Sequence, residues 1–229
     1  HIIKNKMIGL VQYYSLQGSY FMNQYLRGQT NYNYKNEYLE SLIQPMWKLI
    51  LDAPPLDKKY IAYRFIQDDY FISDLNIGDT YTERGFMSTT RDPFYQNKSY
   101  KFGWILLKIR LPVGIKGCAL CIEAISLFQK EEEIILPPNT TLKLLNKDDK
   151  SIYYHTDKSI TKKVRTMYEF EIVGRSDISF VERPIYTEMD EPVDFLKIKK
   201  MDTLTIEERI HGFSNRYVNP MNQFPAIIG

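Results

Sequence analysis

The spacing of apolar positions changes character once along this chain. Over residues 8–28, Leu10, Tyr14, Met22 and Leu26 recur near helical spacing, and Gly28 follows as a stop. One helix is expected there. A second fits residues 38–51, with Pro45 inside it as a candidate for its true first turn, and Pro54 and Pro55 end it. From residue 60 the pattern becomes short and strand-like. Apolar and aromatic runs at 60–65, 85–90, 103–111, 118–122, 131–136, 141–145 and 167–173 are separated by Gly and Pro. Helices first and strands afterwards indicate an α+β fold rather than an alternating α/β one. Residues 175–229 differ again. Pro184, Pro192, Pro220 and Pro225 interrupt them, and Thr205 with Glu208 makes a capping box for one short helix. This divides the chain into a domain at 1–174 and an extension at 175–229 that wraps the core or reaches a partner.

Composition narrows the function classes. The 229 residues are 44% hydrophobic and 25% charged, enough for an ordinary core, and the net charge is +2. That balance argues against nucleic acid or an anionic membrane as the main partner. No apolar run reaches membrane-spanning length, so no membrane association is expected. The two cysteines, Cys118 and Cys121, stand in an apolar, strand-like stretch and read as buried thiols. The three histidines are scattered, so no metal site is expected. The many Tyr, Asn, Ile and Lys residues fit an AT-rich genome, as in some viruses and low-GC bacteria. The chain begins at His1 and not at Met, which leaves room for an upstream segment.

Four segments carry candidate chemistry: Asn23-Gln-Tyr-Leu-Arg27, Tyr63-Arg64, Phe86-Met-Ser88-Thr89-Thr90, and Phe128-Gln-Lys-Glu131-Glu-Glu133 followed by an apolar strand and Pro137. If Glu131, Glu132 and Glu133 open a strand, alternation puts Glu131 and Glu133 on one face and Glu132 on the other. Two carboxylates on one face repel and persist where a cation or substrate compensates them. Arginines suit a pyrophosphate, because a charge-assisted bond to phosphate contributes roughly 1.5–3 kcal/mol.

In that order and at those separations, the set resembles the arginine–serine–glutamate class of ADP-ribosyltransferases, which includes clostridial binary-toxin enzymatic components and related bacterial and viral proteins. The resemblance covers about residues 10–173 and not the tail. It implies amino-side helices followed by two packed, mainly antiparallel sheets around an NAD cleft, with NAD as co-substrate. It further implies NAD contacts for Asn23, Arg27 and Arg64, with Ser88 holding the catalytic glutamate and supporting the nicotinamide pocket. Glu133 would stabilise the oxocarbenium-like ribose, as carboxylates do in glycoside hydrolysis. Glu131 would orient the acceptor, and Phe128 matches the aromatic of the substrate-recognition turn. Phe65 stands where the family often has Gly beside nicotinamide, and Thr89, which shapes the turn after Ser88, is counted with the cofactor-binding residues. Arg91 is a candidate phosphate contact.

The partner implied is a target protein, and an acidic residue at 131 favours arginine as the acceptor. Two further readings stay open: an NAD glycohydrolase, and a non-catalytic NAD-binding or virion protein with the same fold. The expected place of action is a host cytosol, reached as an effector or inside a virion.

Overall fold

The computed structural model describes residues 1–28, 35–93, 105–157, 159–180 and 182–183, with side chains of 152–165 left out of the description. Pro184, Pro192, Pro220, Pro225 and the capping box at Thr205 and Glu208 lie outside these residues.

The amino-side helix is interrupted. It runs as α1 (Ile8–Tyr13), a π-helical turn (Tyr14–Gly18) and α2 (Ser19–Arg27), ending where Gly28 turns left-handed at φ 69°. The turn is packed tightly: a Cβ on Gly18 would lie 2.5 Å from the Tyr13 ring. Helix α3 (Glu37–Leu51) starts well before Pro45. Asn36 caps it by accepting the Leu39 N–H at 3.0 Å, and Glu37 and Glu40 complement the positive end of its dipole. Buried Leu42, Ile43 and Met46 flank Pro45. Their packing offsets an interior proline that costs about 3 kcal/mol. Pro45 is therefore inside the helix and not its first turn. Among the described residues, no helix is long and apolar enough to cross a membrane.

Eight strands follow: β1 (Tyr60–Ile66), β2 (Thr80–Glu83), β3 (Met87–Thr90), β4 (Ile105–Leu111), β5 (Leu120–Cys121), β6 (Glu133–Leu136), β7 (Thr140–Asp157) and β8 (Ser159–Arg175). They form one sheet in the order β2-β7-β8-β4-β1-β3-β6-β5, antiparallel except where β4 meets β8. The expected pair of separate sheets is corrected to this single one. The reason lies at β1 and β3, which join through one register pair, Tyr63 with Thr90. Two groups of strands thus meet at a narrow seam, with Arg64 on one side of it and Ser88 on the other.

Each face of the sheet carries its own core. Val11, Met22, Leu39, Ile43 and Ile50 from the helices pack on Phe86 and Ile135. On the other face Ala62, Ile109, Met87, Leu136, Leu144 and Phe170 pack together. Strand alternation explains the division along β6, where Ile135 serves the first core and Ile134 and Leu136 the second. Cys118 is buried as expected, but Cys121 is exposed.

Candidate active site

The π turn decides which residues of the amino-side helix can meet. Nine α-helical steps of 100° would put Tyr14 and Asn23 about 180° apart, on opposite faces. The wider turn lowers that rotation, and the two side chains reach Ser88 of β3 and Phe86 just before it. The Tyr14 hydroxyl lies 3.0 Å from Ser88 Oγ. Asn23 Oδ1 accepts the Phe86 N–H at 2.7 Å. Bulges of this kind recur at functional sites.

Arg27 ends α2 and meets Glu83 at the end of β2. Its Nε lies 2.9 Å from Glu83 Oε1, which also accepts the Gly85 N–H at 2.8 Å. The Tyr81 hydroxyl donates to Glu83 Oε2 at 3.1 Å. Burial opposes the charge on both partners, but the pairing outweighs it. The Arg27 pKa is therefore raised and the Glu83 pKa lowered from their ordinary values. Gly85 is required here for space: a Cβ would stand 2.8 Å from Asn23 Oδ1 and 3.2 Å from Arg27 Nε.

Arg64 is buried on β1, and its Nη1 donates to the Ser88 carbonyl oxygen at 3.1 Å, across the seam. Burial, and then the neighbouring Arg27 charge, lower its pKa. Ser88 is buried on β3 and faces Tyr14.

The acidic turn differs from its expected shape. Phe128 precedes a 3-10 turn, Gln129–Glu131, and Glu132 then adopts φ 44° before Glu133 begins β6. Glu131 and Glu133 are both buried, and the Glu131 charge acts on Glu133. A turn with a left-handed residue brings them near each other, not strand alternation. Glu132 points elsewhere and pairs with Arg91 at 3.2 Å.

Glu133 is the anomalous group. Neither carboxyl oxygen has a hydrogen-bond partner among the described residues. Burial, with the Glu131 charge second, pushes its pKa up to about 8. The Ser88 hydroxyl acts the opposite way, although no full hydrogen bond closes to either oxygen. Tyr14 is also pushed up, by burial and then by the Glu133 charge.

The structure brings Asn23, Arg27, Arg64, Ser88 and Glu133 into one connected region. Phe128 stands half-buried at the turn that leads to Glu131. Other candidates are placed elsewhere. Arg91 is held between Glu123 at 2.8 Å and Glu132, so its charge is already matched. Thr89 spends its hydroxyl on the Ile134 carbonyl at 2.6 Å, on the strand face opposite Ser88. Phe65 is buried and stands across from Leu106 on β4.

Sequence reasoning missed Tyr14 as a polar group, and it missed Tyr81, Glu83 and Gly85. A usable signal existed. Tyr81 and Glu83, two apart on a short strand, share a face two residues before a glycine.

A family model described as ADP-ribosyltransferase exoenzyme matches residues 4–168. An uncharacterized protein of Acanthamoeba polyphaga mimivirus is 39% identical over all of this chain and 34% of its own length. Photox toxin of Photorhabdus laumondii is 30% identical over 66% of this chain and 42% of its own length. This chain thus spans well under half of either relative. The enzymatic component C2-I of the Clostridium botulinum C2 toxin shares the fold, with a TM-score of 0.56 at 20% identity, covering 74% of this chain and 43% of that one. With its helices, seam and buried glutamates in place, the chain belongs to the ADP-ribosyltransferase exoenzyme family.

Proposed function

We propose that this chain is a mono-ADP-ribosyltransferase that moves ADP-ribose from NAD to an arginine side chain of a target protein. The observation that carries this reading is the buried, unmatched carboxyl of Glu133 beside Glu131, Ser88 and Tyr14. A carboxyl held without partners at about pKa 8 is costly unless a cation completes the site. The nicotinamide ring of NAD is cationic. Once it leaves with the electron pair of its bond to ribose, the positive charge passes to the ribose ring.

Each residue then has a task. Arg27 keeps its terminal nitrogens for the pyrophosphate, because Glu83 occupies only its Nε. Arg64 and Tyr14 hold Ser88 from its two ends, by carbonyl and by hydroxyl. Glu133, ionised when the cationic ring enters, stabilises the charge that develops on the ribose. Glu131 orients the incoming guanidinium, whose nitrogen bonds to the ribose carbon and gives up its proton to the Glu131 carboxylate. A carboxylate pairs well with a planar guanidinium, which supports arginine as acceptor. Activity on a protein inside a host cell belongs to the same reading.

The test is release of nicotinamide from NAD, with and without agmatine as an arginine mimic. Faster release with agmatine, and a labelled adduct on it, are expected. A folded protein that releases no nicotinamide under either condition would overturn the proposal.

A further inference from the structure

We infer that the segment following β8 is a strap that positions α2 for NAD, with Phe180 and Arg183 as its anchors. The inference rests on the reading that α2 carries Asn23 and Arg27 to the dinucleotide.

Over residues 176–180 and 182–183 the chain stays on the body of the fold. The Ser176 N–H donates to the Asn139 carbonyl at 3.2 Å, and Asn139 Nδ2 donates to the Asp177 carbonyl at 2.9 Å. Ile178 and Phe180 then pack against the helical core. Arg183 reaches α2 itself. Its guanidinium lies 3.8 Å from the centre of the Tyr25 ring, and its Nη2 donates to the Tyr25 carbonyl at 2.7 Å. The Phe180 ring sits 6.1 Å from the Tyr25 ring.

Tyr25 is the right place to hold this helix. It is fully buried, between Asn23 and Arg27 in sequence. Its hydroxyl donates to Glu40 of α3 and accepts the Asn36 N–H at 3.4 Å. α2 is the last part of the amino-side helix, carried on from the π turn, and it ends at Gly28 just beyond Arg27. The last turns of a helix are held largely by what packs on them. The Tyr25 carbonyl already accepts the Gly28 N–H at 3.2 Å, and a cation at that end of a helix is favourable. Arg183 adds a second donor to that carbonyl and supplies the cation, and it stacks its charge on an aromatic face. Displacing a contact by about 1 Å can cost a hundredfold when geometry matters. Loosening α2 would act on Asn23 and Arg27 together.

The roles of Phe180 and Arg183 are those of positioning residues, so the experiment separates binding from turnover. In the full chain, Arg183→Ala, Arg183→Lys and Phe180→Ala are compared with the parent by NAD titration, nicotinamide release and thermal unfolding. Arg183→Ala and Phe180→Ala are expected to raise the KM for NAD about fivefold or more, with kcat within about twofold. Arg183→Lys, which keeps the cation but not the planar stack, should fall between. A merely structural role would lower the folded fraction, and so kcat, while KM stayed constant; that result overturns the strap. Equal NAD affinity in folded Arg183→Ala and parent overturns it as well. Should Phe180→Ala unfold, the two Arg183 variants decide the matter. A parent that binds no NAD removes the reading of the cleft, and the strap with it.

Discussion

The two halves of the candidate site are built on opposite terms. Around α2, the charged and polar groups are paired in advance: Arg27 Nε and the Gly85 N–H share Glu83, and Asn23 Oδ1 accepts the Phe86 N–H. Around the acidic turn, Glu133 is buried with both oxygens unmatched among the described residues. The first half is assembled before any ligand arrives. The second stores the cost of desolvating a carboxyl, and a cation that fits beside it recovers that cost. Binding and bond breaking are thereby assigned to different places, and variants can tell them apart.

The largest effect is expected at Glu133. Glu133→Gln keeps the shape and removes the charge, so it should lower nicotinamide release roughly 100- to 1000-fold, with agmatine or without. Glu131→Gln should lose transfer to agmatine yet keep NAD hydrolysis within about tenfold of the parent. Hydrolysis that survives Glu133→Gln would mean that the unmatched carboxyl is not the reactive one.

Next comes pH. The cationic ring favours the ionised form of a group that titrates near pH 8 when the site is free, so NAD binding should release a proton. Affinity should rise with pH below 8, approaching about tenfold per unit, and level off above it. The same carboxyl has the opposite effect on the ligand-free fold. Between the ordinary carboxylate range and pH 8 the folded state holds a proton that the unfolded state has lost, so stability falls as pH rises through that window. Glu133→Gln should flatten both profiles. Calorimetry in buffers of different ionisation enthalpy measures the proton directly.

A smaller effect is expected in the assembled half. Gly85→Ala pushes a methyl against Asn23 and Arg27. It should weaken NAD affinity about tenfold and leave the pH slope intact. A changed slope would show that the halves are not independent. The smallest effect belongs to Glu132→Gln. Its partner Arg91 retains Glu123, so nicotinamide release should be nearly unchanged. A large loss there would reverse the assignment of the acidic turn.

Much of this arrangement was legible in the sequence, where residue type and order carry it. The segregation of helices and strands and the stop at Gly28 follow from pattern and motif. What escaped depended on distance in space. β2 is polar, and its buried residue is Glu83, whose burial makes sense only once Arg27 of α2 stands beside it. Arg91 looked available for phosphate because neither Glu123 nor Glu132 is visibly its neighbour in sequence. The expected strand through Glu131 failed because Glu132 adopts a backbone conformation unusual for its residue type. The acidic pair came together for a different reason than alternation. The outer reaches of β7 and β8 are too polar to show a strand period.

The π turn at Tyr14–Gly18 sets a counting rule for this region. Helical phase is discrete: adding or removing one residue turns everything downstream by about 100°. Between Tyr14 and Asn23 the chain cannot change its length by one and keep one residue at Ser88 and the other at the Phe86 N–H. The tyrosine-to-asparagine interval is therefore a ruler, and its nine steps are as much a part of the site as the groups at its ends.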